Sequence, residues 1–193
     1  LDPHSAAYHI PSVLRLKGRL DQQALQRSFD ALVARHESLR TQVYQDGGCA
    51  FQLICSATAL VIARAHADAA NLQQQVEAEI ARPFDLQAGP LLRVTLLRLA
   101  DDEHVLVLVQ HHIVSDGWSM QVMVDELVQL YAANSQGQTP QLPELPLQYA
   151  DYAHWQRQWM AAGERERQLA YWRQLLGGEQ PMLELPTARA RPA

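Results

Sequence analysis

The chemistry of this chain is concentrated in one stretch, Gln110-His111-His112-Ile113-Val114-Ser115-Asp116-Gly117-Trp118-Ser119. A neutral-to-basic imidazole pair stands beside a carboxylate and a glycine. An unperturbed histidine titrates near pH 6.5, so either ring can give or take a proton at ordinary cellular pH. Three readings fit these residue types. In the first the histidines cap a strand and Asp116 holds a turn. In the second His112 and Asp116, four apart, share a metal as they would on one helical face. Gly117 and the strand-to-turn context spoil that helical geometry, and no further His, Cys or carboxylate stands at ligand spacing. In the third a histidine serves acyl transfer, and Gly117 lets substrate approach the backbone closely. The remaining histidines are bland. His4, His9, His36, His66 and His154 read as surface or loop residues, and His104 as a turn or packing residue at a strand start.

Elements that aim such a loop are legible on both sides of it. Leu91 to Leu99 and His104 to Gln110 are apolar runs joined by the turn Ala100-Asp101-Asp102-Glu103. Their near-continuous hydrophobicity predicts strands buried on both faces, in the middle of a helix-covered sheet. After the loop, Ser119 to Ala133 is predicted as an amphipathic helix capped by Ser119, with Val122, Met123, Leu127, Leu130 and Tyr131 on one side. A loop between a buried strand and a helix is a common place for working residues, because the scaffold holds it rigid.

Upstream, Ser12 to Leu16 reads as a strand. Asp21 is the expected N-cap of a helix running to about His36, with Leu25, Phe29, Leu32 and Val33 at helical spacing. Leu39 to Tyr44 and Ala50 to Ile54 flank Asp46-Gly47-Gly48, a strong hairpin signal. A short strand over Leu60 to Arg64 and a helix from Asn71 to Arg82, stopped by Pro83, complete this half. Downstream, Gly137, Pro140, Pro143 and Pro146 mark a loop. Leu147 to Leu176 reads as helical, broken near Gly163. The order of elements predicts an α/β fold, a mixed β-sheet covered by helices.

Composition narrows the function classes. The chain has 193 residues, 48% hydrophobic and 19% charged, with a formal net charge of -5. That suffices for one well-packed domain. An acidic balance with a single lysine, Lys17, and scattered arginines argues against nucleic-acid binding. The longest apolar run, Val105 to Val109, falls far short of the roughly 18 residues a membrane span needs. Leu1-Asp2-Pro3-His4 resembles neither a signal peptide nor a natural start. Cys49 and Cys55 fit no disulfide framework, and the expectation is a reducing, cytoplasmic setting.

A family resemblance then bears on the three readings. His111-His112-Ile113-Val114-Ser115-Asp116-Gly117 matches HHxxxDG, the signature of nonribosomal peptide synthetase condensation domains and their acyltransferase superfamily. Arg35-His36-Glu37-Ser38-Leu39-Arg40-Thr41 resembles the family's RHExLRT motif, and Tyr149-Ala150-Asp151-Tyr152-Ala153-His154-Trp155-Gln156-Arg157 its YxDYAxWQR motif. Pro83-Phe84-Asp85-Leu86, Gly89-Pro90-Leu91-Leu92-Arg93 and Leu185-Pro186-Thr187 also look like family stretches, so the likeness covers essentially the whole chain.

The resemblance implies a chloramphenicol-acetyltransferase-like lobe, the N-terminal half of a two-lobed, V-shaped domain. Residues 1-180 would form the lobe and residues 181-193 a connector toward a C-terminal lobe. It implies amide formation between a donor acyl or peptidyl thioester and the amine of an acceptor aminoacyl thioester. Both substrates would arrive on the phosphopantetheine arms of peptidyl carrier proteins, with no cofactor or metal bound by the lobe itself and an adenylation domain adjacent. The isolated lobe is expected to be inactive. His112 would be general base or amine-orienting group, and His111 structural, its ring turned inward. Asp116 would pair with Arg40 to hold the loop, and Gly117 would keep a pantetheine tunnel clear. Arginine- and alanine-rich usage points to a bacterial gene, and the family to antibiotic and other secondary metabolism. Epimerization domains share HHxxxDG, and recruitment domains share the fold but typically lose the active histidines; cyclization domains, which replace the histidines by aspartates, are excluded.

Overall fold

A computed structural model describes residues 5–179 of the chain. Leu185-Pro186-Thr187, the proposed connector and His4 lie outside the described residues. The chain divides into two compact units, residues 1–150 and 151–193.

The first unit is built on a four-stranded mixed sheet in the order β1-β6-β5-β4. Its strands are β1 (His9–Lys17), β4 (Ile62–His66), β5 (Leu92–Ala100) and β6 (Glu103–His111). β6 runs antiparallel to both β1 and β5, while β4 lies parallel to β5. The two apolar runs read from the sequence are indeed the central pair. The strand at residues 9–17 is an edge, and that tolerates Pro11, which has no N–H to give to a second neighbouring strand. β2 (Thr41–Asp46) and β3 (Cys49–Ile54) form a separate hairpin. It turns at Gly47 and Gly48, both at positive φ, as a tight hairpin needs.

Two-residue periodicity along β6 divides the core. Leu106 and Leu108 face one cluster, packed with Leu25, Phe29 and Leu32 of α1 (Gln22–Arg35) and Met123, Leu127 and Leu130 of α3 (Gly117–Ser135). Val105, Val107 and Val109 face the other, with Phe84 and with Val76 of α2 (Leu72–Ala81). Helices on both faces explain why these strands read as unbroken apolar runs.

α1 starts as predicted: the Asp21 carboxylate accepts hydrogen bonds from the backbone N–H groups of Gln23 and Ala24, each at 2.9 Å. α3 starts differently. Its N-cap is Asp116, whose carboxylate accepts from Ser119 N–H at 2.8 Å and from Ser119 Oγ at 2.6 Å. Asp116 rather than Ser119 holds the extended backbone that precedes the helix, so the predicted cap is corrected by three residues. Residues Glu37–Arg40 coil into a 3-10 turn, so β2 begins at Thr41, later than the sequence pattern suggests.

The second unit contains most of α4 (Tyr149–Trp159) and α5 (Arg165–Leu176). They are separated by a wider, π-type turn that breaks at Gly163, whose φ of 112° only glycine adopts readily. Neither helix has a buried residue. Trp155 and Trp159, one turn apart, stack with an interplanar angle of 7°. The Arg167 side chain, hydrogen-bonded to Glu164, holds that carboxyl down at about 2.

Candidate active site

The two histidines leave the end of β6 on opposite faces of the sheet. His111 continues the Val105-Val107-Val109 face and is 8% exposed. Its ring meets Phe84 edge-on at 6.2 Å and His9 at 6.2 Å, and lies tilted 6.1 Å from Tyr8. His111 Nδ1 accepts the Ile113 N–H at 3.1 Å, so the neutral ring carries its hydrogen on Nε2. Burial, with smaller contributions from His9 and His112, pushes its pKa below 6.5. The ring is thus a neutral, inward-turned packing group.

His112 continues the Leu106-Leu108-Gln110 face and is exposed. Its backbone is pinned, because the N–H donates to Tyr8 O at 2.8 Å and so extends the β1–β6 ladder by one residue. Its ring makes no hydrogen bond among the described residues. It opens into a cleft of about 430 Å³ whose walls include His36, Ser38, Gln110, Ser115, Trp118 and Tyr149. A rigid backbone with an unencumbered imidazole in a cleft is what proton transfer to or from a substrate requires.

His36, Ser38 and Leu39 of the cleft wall belong to the Arg35–Arg40 segment, which Arg35 ties to α3 by charge. Arg35 Nε reaches both carboxylate oxygens of Glu126 at 3.2 Å, and His36 Nε2 lies 2.7 Å from Oε2. The Gln148 amide clasps the same segment, accepting from Glu37 N–H at 3.2 Å and donating to Arg35 O at 3.0 Å. His36 is therefore a half-buried residue held against the Glu126 carboxylate, and not the surface histidine its sequence context suggests. His9 needs the same correction: its Nδ1 donates to Ile80 O at 2.6 Å and its ring packs edge-on against Phe84. His104 is buried in β6, whereas His66 and His154 are exposed as expected.

Arg40 and Asp116 do not form the expected pair. Arg40 donates to Cys55 O at 2.6 Å and to Glu37 Oε1 at 3.3 Å, which fixes the 3-10 turn to the end of β3. The Asp116 carboxylate is exposed and spent on capping α3; the hydrogen bonds from Ser119, chiefly its hydroxyl, hold its pKa below 3.8. The loop is held by a helix cap, a local device, instead of a buried ion pair. His112 exerts a weak Coulombic pull on the same carboxylate. A Cβ at Gly117 would meet no atom within 4 Å, so the glycine faces open space at the first turn of α3. With the helix beginning only there, His112 and Asp116 do not share a helical face. Among the described residues no cluster of three or more His, Cys, Asp or Glu is placed to hold a metal.

Three residues of this site are given no role by the sequence pattern. Glu126 is about 90 residues from its partners, and only folding reveals it. Gln110 and Ser115 belong to the wall of the cleft, with side-chain oxygens that are buried and lack a hydrogen bond. Gln110 did leave a trace, being the one amide that closes an otherwise aliphatic strand.

Comparison with known proteins shows the family and the fold. The family model "Condensation domain" matches residues 1–193. One of the linear gramicidin synthase proteins of Brevibacillus parabrevis is 51% identical over 201 residues, covering all of this chain and 3% of the synthase. Among solved structures, the X-domain from teicoplanin biosynthesis in complex with OxyB superposes with a TM-score of 0.83 at 35% identity, covering 96% of this chain and 42% of that one. The first condensation domain of the calcium-dependent antibiotic synthetase, in complex with a substrate analogue, gives 0.75 at 26% identity over 90% of this chain and 43% of that one. This chain belongs to the condensation-domain family, has the chloramphenicol-acetyltransferase-like fold expected from its motifs, and spans less than half of the solved relatives. No helix among the described residues is long and apolar enough to cross a membrane.

Proposed function

We propose that this condensation-domain lobe contributes the reaction centre for amide formation between two carrier-bound thioesters in nonribosomal peptide assembly. The donor is an acyl or peptidyl thioester and the acceptor an aminoacyl thioester, each on a phosphopantetheine arm. The α-amine nitrogen attacks the donor carbonyl, the C–N bond forms and the C–S bond breaks. The amine proton passes to His112, and the departing thiolate is protonated in turn. A thiolate leaves readily, so much of the acceleration comes from holding two tethered substrates together. The observation that carries the reading is the exposed His112 ring in the cleft, on a backbone pinned to β1. His111 stiffens that strand end from the opposite face, Asp116 fixes the start of α3, and Gly117 leaves room for the arm. The partners are donor and acceptor carrier proteins, the second lobe of the domain and a neighbouring adenylation domain, in the cytoplasm.

The test uses the full-length protein that carries this lobe, with donor and acceptor carriers loaded separately and the acceptor followed by intact mass. Wild type transfers the acyl group, and folded His112→Ala transfers almost none. Undiminished transfer by the variant would leave positioning as the whole mechanism and remove His112 from it. A second reading, recruitment of a partner protein on the same fold, is favoured by the likeness to the X-domain solved with OxyB. Carriers that bind to wild type without any product would select it.

A further inference from the structure

Of all the groups around the cleft, the Gln110 side chain is in the least comfortable setting. It is 1% exposed and sits at the end of an aliphatic strand face. Its Nε2 donates to the Met123 thioether at 2.8 Å, a weak acceptor, which leaves Oε1 buried with no hydrogen bond. Buried amide oxygens are nearly always satisfied, so a persistent exception asks for a partner that arrives from outside. The Ser115 oxygen is also buried without a partner, but it belongs to the loop, whereas Gln110 shares the strand face that leads to His112.

Gln110 and His112 are two residues apart on the same strand face, roughly 6.7 Å between Cα atoms at strand spacing. Both line the cleft. A substrate nitrogen in this cleft meets a wall that both residues line, and the broad terminal torsion of glutamine lets Oε1 turn toward it. We infer that Gln110 holds the acceptor amine, its Oε1 accepting the N–H that remains on nitrogen while His112 takes the proton that is lost. The inference rests on the amide-forming reading proposed above and adds to it a basis for choosing nitrogen over oxygen nucleophiles. A primary amine brings two hydrogens: one goes to His112, and the other stays on the amide nitrogen, bound to Gln110 as positive charge develops there. An alcohol brings one hydrogen, which goes to His112, and offers Gln110 nothing. A site with a buried acceptor rejects a ligand that lacks the matching donor.

The experiment gives the full-length protein two acceptors on the same carrier, an α-amino acid and the α-hydroxy acid of identical side chain, and measures the amide-to-ester rate ratio. Because both rates come from one preparation, the ratio is independent of the fraction folded. Gln110→Met preserves side-chain length and apolar packing. The expected result is an amide rate lower by about 10- to 100-fold with the ester rate unchanged, so the ratio collapses by that factor. Gln110→Leu gives the same collapse, and Gln110→Glu, which keeps the acceptor, retains a higher ratio than either. Amide and ester rates that fall in parallel, or a folded Gln110→Met that makes neither product, would mark Gln110 as structural and overturn the inference. An unchanged ratio would overturn it as well. Failure of wild type to make either product would refute the amide-forming function itself.

Discussion

The two faces of the sheet meet the end of β6 in opposite ways. On the Val105-Val107-Val109 face the strand ends under Tyr8, His9 and Phe84, and the last side chain, His111, is buried, neutral and hydrogen-bonded. On the Leu106-Leu108 face the same strand runs into a cleft, where Gln110 lacks a partner for its oxygen and His112 is exposed. One end is closed by packing and the other is open, and the proposed chemistry belongs to the open one. Adjacent residues of identical type are assigned to these tasks only by the alternation of a strand, which sends neighbours to opposite faces.

The contrast predicts which property each substitution damages. The largest effect belongs to the open face: His112→Ala should lower acyl transfer by about 10²- to 10⁴-fold, the usual contribution of a positioned general base, with thermal unfolding little changed. A parallel loss of melting temperature would show that the open face is also structural. His111→Ala should do the reverse. It empties space beneath Phe84 and removes the acceptor of Ile113 N–H, costing about 1–3 kcal/mol in denaturant unfolding, while activity falls only with the folded fraction. A purely catalytic defect there would abolish the distinction.

Acid sharpens the comparison further. The His111 pKa is lowered in the fold by burial, so the unfolded chain binds its proton first. Stability must then fall as pH drops below about 6.5, and the penalty saturates once pH is below the folded value. The part of that slope due to this ring should vanish in His111→Gln and persist in His112→Gln, as read by urea melts between neutral and mildly acid pH. The smallest effect concerns the loop. Because Arg40 binds Glu37 and Cys55 O while Asp116 caps α3, Arg40→Ala and Asp116→Ala should be additive in a double-mutant cycle. A clear coupling would restore the ion pair expected from the family likeness.

Local signals served the sequence reading well, and distant ones did not. Asp21, the Gly47-Gly48 turn and the break at Gly163 are short-range devices whose physics lies within a few residues, and each stands where it was expected. The inward and outward assignment of His111 and His112 followed from the family motif. The partners of His9, His36 and Arg35 were invisible, because Ile80 and Glu126 are brought to them only by tertiary packing. The Asp116 cap was misread for another reason: Asp and Ser both make good N-caps, and composition cannot choose between two of them three residues apart.

The pairing of β1 with β6 has a consequence for how this lobe comes into being. His9 finds its register opposite His111, about 100 residues later. At a synthesis rate of about 5–20 residues per second, β1 spends roughly 5–20 s outside the ribosome before its sheet neighbour exists. Throughout that interval its ladder groups are unmatched, and Tyr8 O has no His112 N–H to receive. The loop that carries His112 is assembled by the final stitch of the sheet, so until that strand pairs the β1 edge is left open.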